Sequence, residues 1–128
     1  MALYMDSSAL VKLLVDEPES DALEAYARGT ALITSVITLI EVERSVRRNN
    51  PHGEIFVGDL FDGVEIRGID DTVVARAGSL EPPGLRTLDA IHLASALDLR
   101  AELDGFVTYD NRLADAARAL RLPVVAPA

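Results

Sequence analysis

Short apolar runs alternate along the chain with stretches whose apolar residues recur at helical spacing. Leu3–Met5 is one such run, and Asp6-Ser7-Ser8 behind it forms a helix N-cap cluster leading into a helix from Ala9 to Val15. Pro18 opens a second helix, which runs to about Arg28 and stops at Gly29. Ala31–Thr34 reads as a second strand, and Ser35 caps a helix from Val36 to about Arg48 that Asn49-Asn50-Pro51 ends. A weaker helical pattern covers Glu54–Leu60, and Val64–Ile66 reads as a strand. Asp70-Asp71-Thr72 starts a helix that lasts to about Leu80, and Glu81-Pro82-Pro83-Gly84 is a loop. Thr87 caps a long helix, Leu88 to about Leu103, that is apolar nearly all round and so is expected to be buried. Gly105 introduces a strand Phe106–Tyr109, Asn111–Leu120 is helical, and Val124-Val125 is a last short strand.

Strands alternating with helices predict an α/β fold: a Rossmann-like parallel sheet flanked by helices on both faces. The 128 residues fit a single domain, 1–128, with one sizeable core. In such folds ligands bind in the crevice at the carboxyl ends of the strands, so the residues that follow each strand are the ones to inspect.

Composition narrows the chemistry. Without cysteine there are no disulfides and no thiolate metal sites, which suits a reducing cytoplasm. No stretch reads as a signal peptide, and no apolar run is long enough to span a bilayer, so no membrane role is expected. The net charge of -9 argues against a sequence-independent duplex-DNA binder, which needs a cationic face. It leaves room for an enzyme that reaches nucleic acid through divalent cations, and it favours a basic protein partner.

Acidic residues follow the strands. Asp6 follows the first strand, Asp110 the strand at 106–109, Glu41 lies on the helix after the second strand, and Asp89 lies in the first turn of the apolar helix. If they converge, like charges raise each other's pKa, and a hard cation such as Mg2+ or Mn2+ removes the conflict. Each acid has a plainer reading. Asp6 and Asp110 can be helix N-caps, and Asp89 a first-turn acid favoured by the helix dipole. Periodicity does not choose between Glu41 and Glu43, although Glu43 stands four residues before Arg47 and suits a surface pair. Ser8 and Thr108 flank the acids and are candidates to hydrogen-bond a carboxylate or a metal-bound water. His92, one turn from Asp89, is either a hydrogen-bonded core histidine or a support for that carboxylate. Asp115 is a further acid near Asp110, or a solvated one. Arg44, Arg48, Arg86 and Arg112 are candidate contacts for nucleic-acid phosphates, or ordinary surface arginines.

Leu-Tyr-Met-Asp-Ser-Ser-Ala-Leu-Val-Lys at 3–12 resembles the opening signature of the PIN-domain family. Thr-Leu-Ile-Glu-Val at 38–42, Leu-Asp-Ala-Ile-His-Leu-Ala-Ser-Ala at 88–96 and Phe-Val-Thr-Tyr-Asp-Asn-Arg-Leu at 106–113 resemble its second, third and fourth motifs. No one of these motifs is very specific; order, spacing and length together are, and the match is strongest to the compact VapC-type toxins. The resemblance implies that Asp6, Glu41, Asp89 and Asp110 are acidic metal-binding positions holding one or two Mg2+ or Mn2+ ions. One ion at Asp6, Asp89 and Asp110 would activate water, and a second near Glu41 would stabilise the leaving oxygen.

The resemblance further implies an endoribonuclease that cuts cellular RNA, such as transfer or ribosomal RNA, and so arrests translation. It implies a cognate VapB-type antitoxin, contact with operator DNA only through that antitoxin, and a homodimer. Two rivals stand beside this reading. A phospho-receiver domain would need paired acids after the first strand and a late lysine, and Lys12 is the only lysine. A catalytically silent PIN-fold interaction or regulatory module would be favoured by loss of a site acid, and none is missing.

Overall fold

The computed structural model describes residues 1–50, 58 and 61–128. The helical pattern expected at Glu54–Leu60 lies outside the described residues, Gly58 apart. A five-stranded sheet in the order β3-β2-β1-β4-β5 forms the centre, with every pairing parallel. Its strands are β1 (Ala2–Met5), β2 (Ala31–Ser35), β3 (Val64–Arg67), β4 (Leu103–Val107) and β5 (Val124–Val125). The helices are α1 (Ser7–Leu14), α2 (Ser20–Ala27), α3 (Val36–Asn49), α4 (Asp71–Ser79), α5 (Thr87–Asp98) and α6 (Asn111–Ala119).

Side-chain alternation along the strands divides the core in two. Ala2 and Tyr4 of β1 and Phe106 of β4 face one layer, where they pack with Leu93 and Ala96 of α5 and Leu113 and Ala117 of α6. Leu3 and Met5 of β1 and Val107 of β4 face the other, against Leu10 of α1, Leu23 of α2 and Val42 and Val46 of α3. Tyr4 and Phe106 stack with ring centroids 5.3 Å apart. Each large apolar side chain buried this way contributes about 1.5–3 kcal/mol. Both faces of the sheet are therefore covered, as the strand–helix alternation predicts.

Local signals set most boundaries. Asp6, Ser35, Asp70 and Asp110 occupy the N-caps of α1, α3, α4 and α6, and each side chain accepts a backbone N–H. Beyond α2 the chain turns at Gly29, whose φ of 77° suits a residue without Cβ. The region after residue 86 departs from expectation. Arg86, not Thr87, holds the N-cap position of α5 and makes no side-chain cap bond. The helix ends at Asp98, a 3-10 turn follows at Arg100–Glu102, and β4 begins at Leu103. Without Gly or Pro between 88 and 104, and with Leu99 and Leu103 one helical turn apart, the end of the helix and the first residue of the strand share one helical spacing. Gly105, expected to precede the strand, lies inside it. Its backbone passes so close to Leu3 that an added Cβ would lie 2.9 Å from Leu3 Cδ2. The strand also ends two residues early, at Val107, although the Thr108 N–H still reaches the Val125 carbonyl at 3.3 Å.

Candidate active site

The sheet order reverses beside β1: β2 and β3 lie on one side, β4 and β5 on the other. In open parallel sheets this switch makes a crevice at the carboxyl ends of the strands. Asp6 follows β1 there, and Asp110 lies three residues beyond the end of β4. Asp89 enters from the first turn of α5, and Glu41 from the second turn of α3.

Asp6 is buried, with 3% of its surface exposed. Its Oδ1 accepts from Ser8 Oγ at 2.7 Å and from the Ala9 backbone N–H at 3.0 Å, and its Oδ2 accepts from Thr108 Oγ1 at 2.6 Å. It is thus an N-cap and a buried carboxylate at once. Burial raises its pKa, and the Ser8 and Thr108 hydroxyls only partly oppose that. The two hydroxyls are themselves fixed: Ser8 Oγ accepts from the Tyr109 N–H at 2.9 Å, and Thr108 Oγ1 accepts from the Asp110 N–H at 3.1 Å.

The other acids keep oxygens in reserve. Asp110 caps α6 through Oδ1 alone, which takes the N–H groups of Arg112 and Leu113 at 2.9 and 3.2 Å. Asp89 is half-buried, and its carboxylate accepts no hydrogen bond among the described residues. Burial raises its pKa, and the nearby charges of Asp110 and Glu41 raise it further, against the pull of His92 and Arg86. Glu41 accepts from His92 Nε2 at 2.7 Å through Oε1. The Nδ1 of His92 in turn meets the Tyr4 hydroxyl at 2.8 Å. His92 is therefore a buried, hydrogen-bonded histidine as the first of its two readings has it, and the acid it meets is Glu41, not Asp89. Tyr4 was not singled out from sequence, yet a hydroxyl inside the apolar run Leu3–Met5 requires a buried partner.

A groove of about 620 Å³ opens beside these acids. Ser8, Glu41, Leu88 and Tyr109 line it, together with Arg44 and Arg48 one and two turns farther along α3. Asp6, Asp89 and Asp110 do not line it themselves but adjoin residues that do. Arg86 is exposed at the start of α5, within charge range of Asp89. Arg112 is exposed, and what it gives the cluster is its backbone N–H to Asp110. Asp115 is exposed and pairs with Arg118 at 3.4 Å, and Glu43 pairs with Arg47 at 3.3 Å, so both take their plainer readings.

No three His, Asp or Glu side chains among the described residues are gathered tightly enough to share one ion. The donor chemistry nevertheless fits a hard divalent cation. The acids offer oxygen only, free carboxylate oxygens remain on Asp89, Asp110 and Glu41, and the like charges of Asp110 and Glu41, which add to burial in raising the Asp89 pKa, are relieved by positive charge.

The sequence matches the PIN-domain family over residues 3–119. It is 42% identical over 127 residues to the ribonuclease VapC46 of Mycobacterium tuberculosis, covering 98% of each chain. The chain belongs to the PIN-domain family, in its VapC branch. Solved structures agree with this PIN fold. A toxin–antitoxin complex from Klebsiella pneumoniae contains a chain 27% identical, with a TM-score of 0.65 and 88% of each chain covered. The M. tuberculosis toxin VapC20, described as cleaving the sarcin–ricin loop, superposes with a TM-score of 0.73 at 14% identity, over 98% of this chain and all of that one. Among the described residues of the PIN domain, no helix is long and apolar enough to cross a membrane.

Proposed function

We propose that this PIN domain is a cytoplasmic, divalent-metal-dependent endoribonuclease, the toxin of a VapBC-type pair, that cleaves transfer or ribosomal RNA and so stops translation. The observation that carries the reading is the set of acids at the switch crevice, with carboxylate oxygens unspent and Asp6 and Asp89 raised in pKa. Full-length similarity to a named ribonuclease supports the reaction class.

Asp6, Asp89, Asp110 and Glu41 would hold one or two Mg2+ or Mn2+ ions. Such an ion supplies Lewis acidity, making a water nucleophilic at neutral pH and offsetting charge on the scissile phosphate. Ser8 and Thr108 hold Asp6 in one orientation, so its donor atoms need no reorganisation when a cation arrives. Arg44 and Arg48, which line the groove, would contact flanking phosphates, and the exposed Arg86 and Arg112 would meet more distant ones. A VapB-type antitoxin would occupy the same groove and carry the pair to operator DNA, which an acidic toxin is ill suited to bind directly. The similarity to a chain solved in a toxin–antitoxin complex supports that partner. A homodimer is the expected assembly.

Induced expression of wild type beside Asp6→Asn, with total RNA mapped for new 5′ ends, tests this directly. Growth arrest and discrete cuts are expected from the wild type only. The purified enzyme should cleave RNA with Mg2+ or Mn2+ and fall silent in EDTA. An Asp89→Asn enzyme with undiminished metal-dependent cleavage would overturn the assignment.

A further inference from the structure

His92 lies midway along α5, beside Leu93 and Ala96 of the core, and only 2% of it is exposed. A leucine would fill such a place without polar atoms to satisfy. Instead both ring nitrogens are used, one on Tyr4 and the other on Glu41. A carboxylate accepts only from a protonated nitrogen, so Nε2 carries a hydrogen, and in the neutral imidazole Nδ1 then accepts from the Tyr4 hydroxyl. That phenol stays protonated: burial, Asp6 and Glu41 all push its pKa up. The chain of donors therefore runs one way, Tyr4 to His92 to Glu41.

The direction of this chain across the fold is informative. Tyr4 and α5 belong to the core layer on one face of the sheet, while α3 packs through Val42 and Val46 into the layer on the other. The bond from His92 to Glu41 joins residues 51 apart in sequence and crosses the carboxyl edge of the sheet. Unlike Asp6 and Asp110, Glu41 gains no anchor from its position in the backbone. It is a long side chain on a helix next to the exposed Ile40, and fixing such a side chain costs up to about 2 kcal/mol in rotamer freedom. Asp6 and Asp110 are held by the caps they form; Glu41 has no cap to make.

We propose that His92, anchored by Tyr4, is a positioning residue that holds the Glu41 carboxylate at the edge of the crevice and turns its free oxygen, Oε2, toward the metal site. This rests on the reading of Glu41 as a site acid. The strut would convert an α3 side chain into a preset ligand or charge, so that a cation meets a formed site. Loss of hydrogen-bonding support behind a metal ligand typically lowers metal affinity or activity about 10–100-fold.

The test compares wild type with His92→Leu, His92→Gln and Tyr4→Phe. Two readouts are taken: the Mg2+ dependence of RNA cleavage, split into kcat and KM, and the rise in Tm caused by Mg2+ without RNA. Tyr4→Phe keeps the ring stacked on Phe106 and His92→Gln keeps a donor toward Glu41, so the comparison survives if His92→Leu folds poorly. His92→Leu should need about 10–100-fold more Mg2+ or lose kcat to that extent, with KM for RNA unchanged. The Mg2+-induced rise in Tm should shrink with it. Tyr4→Phe should move the same way by less, and His92→Gln should recover part of the loss. If His92→Leu and Tyr4→Phe lower Tm but keep the wild-type kcat, Mg2+ requirement and Mg2+-induced rise, His92 is only a core residue and the proposal falls. If the wild type itself shows neither cation-dependent cleavage nor a cation-induced rise, the metal-site reading fails first, and the positioning role with it.

Discussion

Thr108 and Asp6 are 102 residues apart in sequence, and Thr108 Oγ1 donates to Asp6 Oδ2 at 2.6 Å. The contact closes β4 onto β1 at the end of the sheet where the acids gather. Thr108 also accepts from the Asp110 N–H, so a single hydroxyl links two of the proposed ligands. Thr108→Val keeps the shape and removes both bonds. A hydrogen bond to a charged group contributes about 1.5–3 kcal/mol, so chemical denaturation should show a loss in that range. Thr108→Ser should retain most of the stability and the Mg2+ response; a loss in Thr108→Ser with Thr108→Val close to wild type would show that the methyl, not the hydroxyl, matters.

Asp89 should cost the free protein stability. Its folded pKa lies above the ordinary 3.8, so the folded state holds its proton over a range where the unfolded state has released it. Stability therefore falls as pH rises from 3.8 through the raised folded pKa, and the deficit is complete above that. In EDTA at neutral pH, Asp89→Asn should melt a few degrees above wild type while cleaving no RNA. The difference should close as pH falls through the same window. Saturating Mg2+ should reverse the order, since about 2.7 kcal/mol is gained at a hundredfold excess over Kd. A wild type more stable than the variant in EDTA would contradict the raised pKa.

The four acids were legible because each follows a strand or opens a helix, where topology alone directs attention. Glu41 is the exception: periodicity did not separate it from Glu43, and only the motif order did. The structure separates them by contact, since Glu43 turns to Arg47 and Glu41 to His92. Tyr4–His92–Glu41 joins three elements through long-range hydrogen bonds, for which a local pattern carries no signal. The same limit explains β4. Its start was hidden because Leu99 and Leu103 continue the helical spacing of α5, and its glycine was taken for a boundary because the crowding by Leu3 exists only in three dimensions.

Lys12, the chain's only lysine, ties four segments together near the groove. Its Nζ lies 2.8 Å from Glu19, 3.2 Å from Glu17 and 4.6 Å above the Tyr109 ring, whose hydroxyl donates to the Pro127 carbonyl at 2.6 Å. Burial works against the lysine's charge, but the two glutamates outweigh it and its pKa is raised; that of Glu19 is lowered, chiefly by the bond from Lys12. The signs bracket neutrality. The glutamate's share is present above 4.5 and lost as pH falls through its lowered value, while the lysine's is present below 10.5 and lost as pH rises through its raised one. Lys12→Met keeps the apolar stem and removes the charge. It should lower Tm most on the neutral plateau, with the cation–π contact alone accounting for about 0.5–2 kcal/mol. Amide exchange at Tyr109 and the carboxyl-terminal strand should speed up. A Tm difference that does not vary with pH would assign the effect to packing.

Gly105 sets how closely β4 can approach β1. A Cβ there would meet Leu3 Cδ2 at 2.9 Å and Val125 Cγ2 at 3.1 Å, and Leu3, at 2% exposure, has little room to give. Gly105→Ala should therefore cost about 1–3 kcal/mol by overpacking, more than the roughly 0.4–1 kcal/mol that a Gly→Ala change gains from the unfolded chain. The cause is testable by a double-mutant cycle with Leu3→Ala, which removes the atom that clashes. The two substitutions should couple by about 0.5–3 kcal/mol, with the alanine at 105 nearly neutral once Leu3 is trimmed. Additive losses would mean that the backbone, not Leu3, resists the added carbon. The site gives a second readout, because any shift of β4 away from β1 carries Thr108 away from Asp6. Gly105→Ala should then weaken the Mg2+-induced rise in Tm as well as the fold, and trimming Leu3 should restore both together.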